Sequence, residues 1–250
     1  MRMIVSAEPH LPDLAVGISG GLTGAPPVVL VHGMGSDHTT WDAAVRQLRA
    51  SRRSTVAIDL RGHGRSSRAD SYLLDDFAAD ISRVVDDLGL EEIDLVGHSL
   101  GAHAGLRYAM GNPERVRRLV LEEVPPMPRD EADLAEHIAP TATLGERVRG
   151  LGALIANPAP YLRFDRAVPN LVTEQFNVSD PAWWDGLQAV TARTLVVSGG
   201  DRSFLPPTHL QDVAQALPDG RFTTIPAGHS VHRDRRAEFL SALLEHLDVS

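Results

Sequence analysis

Short runs of consecutive apolar residues recur along the chain, separated by longer amphipathic segments. Most of the runs do not alternate with polar residues, which is typical of strands buried on both faces of a parallel sheet. The pattern therefore predicts a series of core strands. The predicted strands are Val28–Val31, Ser54–Leu60, Ile93–Val96, Val116–Leu121, Thr194–Val197 and, last in the chain, Arg221–Ile225.

The segments between these runs carry apolar residues at helical spacing. In the first of them, Phe77, Ile81 and Val84 share one face, and Gly89 can end the helix. Alternation of strands and helices predicts a doubly wound α/β sheet with right-handed crossovers. The predicted helices are Leu74–Leu88, Leu100–Met110, Thr208–Leu217 and Arg236–Leu247.

The stretch from 125 to 184 interrupts this alternation. It contains helical fragments, many prolines and scattered large apolar residues, but no strand-like run. So long a span is unusual for a bare loop within a compact domain. We therefore expect a small helical lid at 125–184, inserted into a core formed by residues 1–124 and 185–250.

Composition narrows the classes of function. The chain has 250 residues and a formal net charge of −9, with no basic block. This argues against nucleic acid and anionic membranes as partners and favours a small-molecule substrate. The absence of cysteine excludes disulfides, thiolate catalysis and cysteine-ligated metal. Without a signal-like N-terminal run or an apolar stretch of roughly 18 residues, a cytoplasmic location is expected.

The candidate nucleophile is Ser99, in the sequence Gly97-His98-Ser99-Leu100-Gly101. This sequence follows a predicted strand and precedes a predicted helix, which is the context of a nucleophile elbow. A serine hydroxyl needs a base, and His229 follows the last predicted strand. Groups beyond the carboxyl ends of parallel strands share one rim, so we expect Ser99 and His229 to meet there.

The glycine-rich turn after Val28–Val31 predicts an oxyanion hole. Its expected donors are the backbone N–H groups of Met34 and Leu100. His32 is expected to tie this turn down by hydrogen bonds. His232, three residues after His229, is expected to be structural, because a His-x-x-His pair without a carboxylate partner is weak evidence for zinc.

The order of these motifs along the chain resembles that of the α/β-hydrolase superfamily, in its ester- and lactone-cleaving branch. The resemblance implies an α/β-hydrolase fold with about eight strands and no metal or organic cofactor. It also implies a third triad member, an acid, either Glu123 after one strand or Asp201 after the next. The matching stretches are Val28–Gly35, Trp41, Asp59–Ser66, the turn around Ser99, and Gly228-His229.

The expected reaction is hydrolysis of a small ester, lactone or thioester through an acyl-enzyme. Candidate substrate contacts are His98, Phe164, Trp183 and Trp184. The same site could serve C–C bond hydrolysis, lyase chemistry, or acyl transfer and cyclisation in secondary metabolism. A non-catalytic ligand receptor on a hydrolase scaffold is a further alternative. A monomer or homodimer is expected.

Overall fold

A computed structural model describes residues 2–4, 11–136 and 158–248, with strands that form one sheet. Within these residues the sheet has eight strands in the order β1-β2-β4-β3-β5-β6-β7-β8. β2 is antiparallel to β1 and β4, and the other pairs are parallel. The predicted mostly parallel α/β sheet is confirmed. The strands are β1 (Arg2–Ile4), β2 (Leu14–Ser19), β3 (Val28–Val31), β4 (Thr55–Ile58), β5 (Ile93–His98), β6 (Val116–Glu122), β7 (Arg193–Ser198) and β8 (Gly220–Thr224).

The two antiparallel strands β1 and β2 were not predicted from the pattern of apolar residues. In β2, Leu14, Ala15 and Val16 are buried, whereas the second half of the strand is only partly buried. Such a strand lacks the continuous apolar run that marks a strand covered on both faces. Of the six predicted parallel strands, β3 to β7 carry such runs, and β8 is the next strand along the chain. Each of the six lies within one or two residues of its predicted position.

Helices cover both faces of the sheet. The four predicted helices are present, and the helix that follows Trp41 was not predicted. In the described parts of the chain, no helix has the length and apolar character that a bilayer span requires. The helices are α1 (Asp42–Ala50), α2 (Leu74–Asp87), α3 (Leu100–Gly111), α4 (Glu131–Ala135), α5 (Ala159–Arg163), α6 (Val168–Phe176), α7 (Pro181–Gly186), α8 (Pro207–Ala216), α9 (Val231–Asp234) and α10 (Arg236–His246).

The side chains of β3 show how the sheet divides the core. Val29 and Val31 join one apolar cluster, with residues of α2, α3 and α8, whereas Val28 and Leu30 join a second, with residues of α1 and α10. Successive side chains of a strand point to opposite faces, so each face of the sheet has its own helical layer. This is the doubly wound arrangement.

Helices α4 to α6 and most of α7 lie in the stretch predicted to be a lid, between β6 and β7. Phe164, Val168, Val172 and Trp183 from this stretch pack into the cluster that contains α2 and α3. Residues 137–157 lie outside the described part of the chain. The extent of a lid, and the division of the chain at 125 and 184, therefore stay predictions.

The register of the central strands brings several carboxyl ends to one edge. His98 at the end of β5 lies beside Glu122 of β6, and Glu122 lies beside Val197 of β7. The turns that follow β3, β5, β6, β7 and β8 therefore meet at this edge, where ligands usually bind in open α/β sheets.

Candidate active site

The turn at Ser99 has an unusual backbone conformation. Ser99 lies between β5 and α3 with φ 52° and ψ −117°. A non-glycine residue in such a region costs about 1–3 kcal/mol and persists only where its surroundings enforce it. A Cβ on Gly97 would lie 2.5 Å from the Cα of Ala102, and one on Gly101 would lie 2.4 Å from the carbonyl oxygen of His32. The two glycines therefore allow the close packing that holds this turn.

His229 connects Ser99 to Glu123. The Nε2 atom of His229 lies 2.9 Å from Ser99 Oγ, and its Nδ1 atom lies 3.0 Å from Glu123 Oε2. An imidazole that donates its Nδ1–H to the carboxylate presents a lone pair at Nε2 to the hydroxyl. The ring of Phe204 packs on the imidazole, with centroids 4.3 Å apart. The three polar residues have the geometry of a nucleophile, its base and an orienting acid.

Of the two candidate acids, Glu123 is the one that the structure brings to His229. β6 ends at Glu122, and Glu123 adopts φ 53°, so the chain turns there. The buried carboxylate of Glu123 also accepts the backbone N–H of Gly199 at 2.5 Å and the hydroxyl of Ser203. Asp201, in a 3₁₀-helix at Gly200–Arg202, is exposed.

The turn after β3 lies against the nucleophile. A Cβ on Gly33 would lie 3.1 Å from the Cβ of Ser99. The side chain of Met34 is 41% exposed, and Leu100 is the first residue of α3, where a backbone N–H has no partner within its own helix. The two predicted donor residues directly follow the residues in this contact, Met34 after Gly33 and Leu100 after Ser99, and their role as an oxyanion hole stays a prediction.

Two buried side chains hold the turn after β3 in place. The Nδ1–H of His32 donates to the Gly33 carbonyl at 2.8 Å, and its Nε2 accepts the N–H of Leu60 at 3.1 Å. Asp59 accepts the backbone N–H of His38 at 2.7 Å and that of Arg65 at 2.9 Å. Burial alone would raise the pKa of Asp59, but hydrogen bonds, above all that from the His38 ring, lower it. The structural role expected for His32 fits these contacts.

His98 was predicted to contact substrate, but the structure places it inside the protein. Its side chain is buried, and its Nε2–H donates to the backbone carbonyl of His229 at 2.6 Å. Burial lowers the pKa of His98 to about 3, so the ring is neutral near pH 7. His98 therefore links the Ser99 turn to the His229 loop, because a ring that uses Nε2 on the protein is not free to meet a substrate there.

The three aromatic residues predicted to contact substrate, Phe164, Trp183 and Trp184, pack against different parts of the structure. Phe164 is nearly buried, packs on the ring of His63 at 4.6 Å, and lies 4.0 Å from where a Cβ on Gly35 would be. Trp183 is buried and stacks on His103, with centroids 5.4 Å apart. Phe164 is thus the one of the three placed beside the turn after β3.

Trp184 lies at the edge of a small surface cavity. Its Nε1–H donates to the carbonyl of Met127 at 2.7 Å, and the guanidinium of Arg129 lies 4.1 Å from the ring centroid. Asp133 and His209 also line this cavity. A tryptophan held in this way is anchored to the segment that follows β6.

Sequence reasoning missed a second buried cluster beside Ser99 and His229. His98, Glu122 and His232 place potential metal-ligating atoms within 4.8 Å of one another. The Nδ1–H of His232 lies 2.7 Å from a Glu122 oxygen, and the Nε2–H of His98 is used on His229. These two ring N–H groups are thus used in hydrogen bonds within the protein. Hydrogen bonding accounts for why these three side chains lie together. The sequence did contain a signal for this cluster: two adjacent glutamates, Glu122 and Glu123, and two histidines three residues apart, His229 and His232.

Comparison with known proteins identifies the family. The profile of the Alpha/beta hydrolase family matches residues 28–242. The chain belongs to this family. As an α/β-hydrolase, it is 22% identical to the sn-1-specific diacylglycerol lipase ABHD11 of Mus musculus over 269 residues, covering 94% of this chain and 85% of that protein.

Two further α/β-hydrolase comparisons differ in the reaction that the matched protein is named for. The chain is 26% identical over 256 residues to a Bacillus subtilis (strain 168) protein provisionally named 2-succinyl-6-hydroxy-2,4-cyclohexadiene-1-carboxylate synthase, covering 91% of this chain and 92% of that one. The crystal structure of the enol-lactonase from Burkholderia xenovorans LB400 superposes with a TM-score of 0.79 at 20% identity, covering 95% and 97% of the two chains. At this identity, the superposition shows the fold.

Proposed function

We propose that this α/β-hydrolase is a serine hydrolase that cleaves a small ester, lactone or thioester through an acyl-enzyme. The observation that carries the proposal is the chain of contacts from Ser99 Oγ to His229 Nε2 at 2.9 Å and from His229 Nδ1 to Glu123 at 3.0 Å. The buried carboxylate orients the imidazole, and the strained turn presents the hydroxyl at the edge where ligands bind in such sheets.

In the proposed mechanism, His229 Nε2 takes the hydroxyl proton as Ser99 Oγ attacks the substrate carbonyl. The backbone N–H groups of Met34 and Leu100 stabilise the resulting oxyanion, and loss of one such donor typically costs about 2.7–4 kcal/mol. The tetrahedral intermediate collapses and expels an alcohol or thiol, to which His229 returns the proton. Water activated by the same imidazole then attacks the acyl-enzyme and releases the acid.

The proposed substrate is a small molecule with an apolar acyl or lactone group. Phe164 lies beside the turn after β3. Its ring would contribute an apolar wall close to the reacting carbonyl. The net charge of −9 favours a neutral or cationic molecule over an anionic polymer. The names of the lipase and enol-lactonase quoted above are consistent with carboxylic ester hydrolysis.

The direct test is covalent labelling of Ser99. A fluorophosphonate probe should label the wild type and not Ser99→Ala, and p-nitrophenyl acyl esters should serve as first substrates. Turnover in Ser99→Ala should fall by about 10⁶-fold, as expected when a triad nucleophile is removed. Ser82→Ala, on the exposed face of α2, is the matched control and should label like the wild type. An inactive, unlabelled wild type would refute the proposal.

A second candidate keeps the same residues for elimination or C–C bond chemistry. It is supported by the similarity to the Bacillus subtilis protein provisionally named a synthase. Here His229 would abstract a proton from the substrate, or accept it through Ser99, without a lasting acyl-enzyme. Rapid labelling of Ser99 together with negligible turnover of acyl esters would favour this candidate over hydrolysis.

A further inference from the structure

A second chain of buried hydrogen bonds runs beside the proposed triad. Glu122 accepts the backbone N–H of His232 at 2.9 Å and its ring Nδ1–H at 2.7 Å. The other ring nitrogen, Nε2, lies 2.6 Å from Thr40 Oγ1. Glu122 is fully buried and His232 is 6% exposed. A carboxylate in the interior depends on such partners in place of water.

The electrostatics of Glu122 agree with a tightly held carboxylate. Burial by itself would raise its pKa, but the rings of His232 and His98 and the hydrogen bonds from His232 lower it to about 2. A hydrogen bond to a charged group contributes more to stability than one between neutral groups. Moving His232 away would therefore leave a buried charge without its donors, and the segment around His232 is fixed accordingly.

The residues of this chain belong to the elements that build the proposed site. Glu122 directly precedes Glu123 at the end of β6, and His232 follows His229 by three residues. Thr40 lies in the 3₁₀-helix His38–Trp41, which follows the turn proposed as an oxyanion hole. Two neighbouring glutamates thus hold two histidines, one at each end of the segment 229–232, which leads from β8 into α9.

We propose that Glu122, His232 and Thr40 form a positioning network that holds His229 in line with Ser99. The network also fixes the segment 229–232 relative to the turn after β3. None of the three touches the reacting atoms in this scheme, so they are positioning residues. The kinetic part of this inference rests on the proposed hydrolase function. Loss of the network lowers turnover with little change in KM, because a displaced imidazole weakens the transition state rather than ground-state binding.

The test compares Thr40→Val, Thr40→Ser and Glu122→Gln with the wild type, per active site counted by fluorophosphonate titration. Thr40→Val should lower kcat about 10-fold and Glu122→Gln about 100-fold, the size of effect caused by a misplacement of about 1 Å, with KM changed less than about twofold. Thr40→Ser keeps the hydroxyl and should restore kcat to nearly the wild-type value. Since counting active sites removes any unfolded fraction, reduced folding alone cannot produce this pattern.

Asp94→Asn is the matched control for Glu122→Gln. Asp94 is also a buried carboxylate, paired with Arg53 and Arg117, but it lies near the start of β5, at the end of that strand away from Ser99. Asp94→Asn should lower the thermal midpoint of unfolding and leave kcat per active site unchanged. An equal loss of kcat in Asp94→Asn and Glu122→Gln would overturn the inference, since it would show a general effect of destabilisation.

A spectroscopic measurement tests the positioning without relying on activity. The Nδ1–H of His229, hydrogen-bonded to Glu123, should give a low-field proton NMR signal, assigned by its loss in His229→Gln. The signal should shift or broaden in Thr40→Val and persist in Thr40→Ser and Asp94→Asn. An unchanged signal and unchanged kcat in folded Thr40→Val would overturn the inference. If the wild type does not label at all, the proposed function fails while this signal still decides the positioning.

Discussion

Lowering the pH should destabilise this protein through its buried neutral histidines, and His103 offers the clearest test. Its Nδ1–H donates to the carbonyl of Pro125 at 2.9 Å, and its Nε2 accepts the Nε–H of Arg107 at 2.8 Å. Burial, followed by the nearby charge of Arg107, lowers the pKa of His103 to about 3 from 6.5. A ring that accepts at Nε2 and has no contact with water stays neutral in the folded state.

The sign and size follow from proton linkage. Because the pKa is lower in the folded state, the unfolded chain binds the extra proton between pH 6.5 and 3, so stability falls as the pH falls through this window. Between pH 7 and pH 5 the loss is about 2 kcal/mol for one such histidine. A folded pKa one unit higher would change that loss by less than about 0.1 kcal/mol. His63 and His98, whose pKa values burial also lowers to about 3, each add a similar amount.

The assay is urea unfolding of the wild type and His103→Gln at pH 7 and pH 5. The substitution removes one titrating ring, so the loss of unfolding free energy between the two pH values should be smaller in the variant by about 2 kcal/mol. Comparing this difference within each protein cancels the direct cost of the substitution. His38 acts in the opposite direction in both proteins, because its hydrogen bond to Asp59 raises its pKa. Equal losses in the wild type and the variant would refute the buried, neutral state of His103.

Two further predictions concern the site itself. Glu123→Gln should lower kcat by orders of magnitude, because the imidazole loses its orienting carboxylate, whereas Asp201→Asn should leave kcat nearly unchanged; the reverse result in steady-state kinetics would make Asp201 the acid. Gly97→Ala forces a Cβ to within 2.5 Å of the backbone of α3, so its unfolding free energy should fall by more than about 1–3 kcal/mol. In Gly111→Ala, where a Cβ meets nothing within 4 Å, denaturation should show little loss or a slight gain.

Much of the fold could be predicted from the sequence because its signals are local. A strand buried on both faces needs an unbroken apolar run, and the helices that cover it need an apolar stripe, so β3 to β7 and the helices α2, α3 and α8 could be predicted from the sequence. The turn at Ser99 was equally readable, because a strand, two close-packed glycines and a helix occur within a few residues. In contrast, β2 lies at the antiparallel side of the sheet, where partial exposure of its second half removes the run.

Which side chains meet was decided by the tertiary structure. The sequence left Glu123 and Asp201 open, because the choice depends on a positive φ at Glu123 that no local pattern announces. The contact between His229 and Glu123 joins residues 106 apart, and that between Thr40 and His232 joins residues 192 apart. The amino-acid sequence alone determined the parallel strands, the turn at Ser99 and the presence of His229 after the last strand. Only the packing of β5, β6 and β7 side by side decided the partners, because it brings strand ends distant in sequence to one edge.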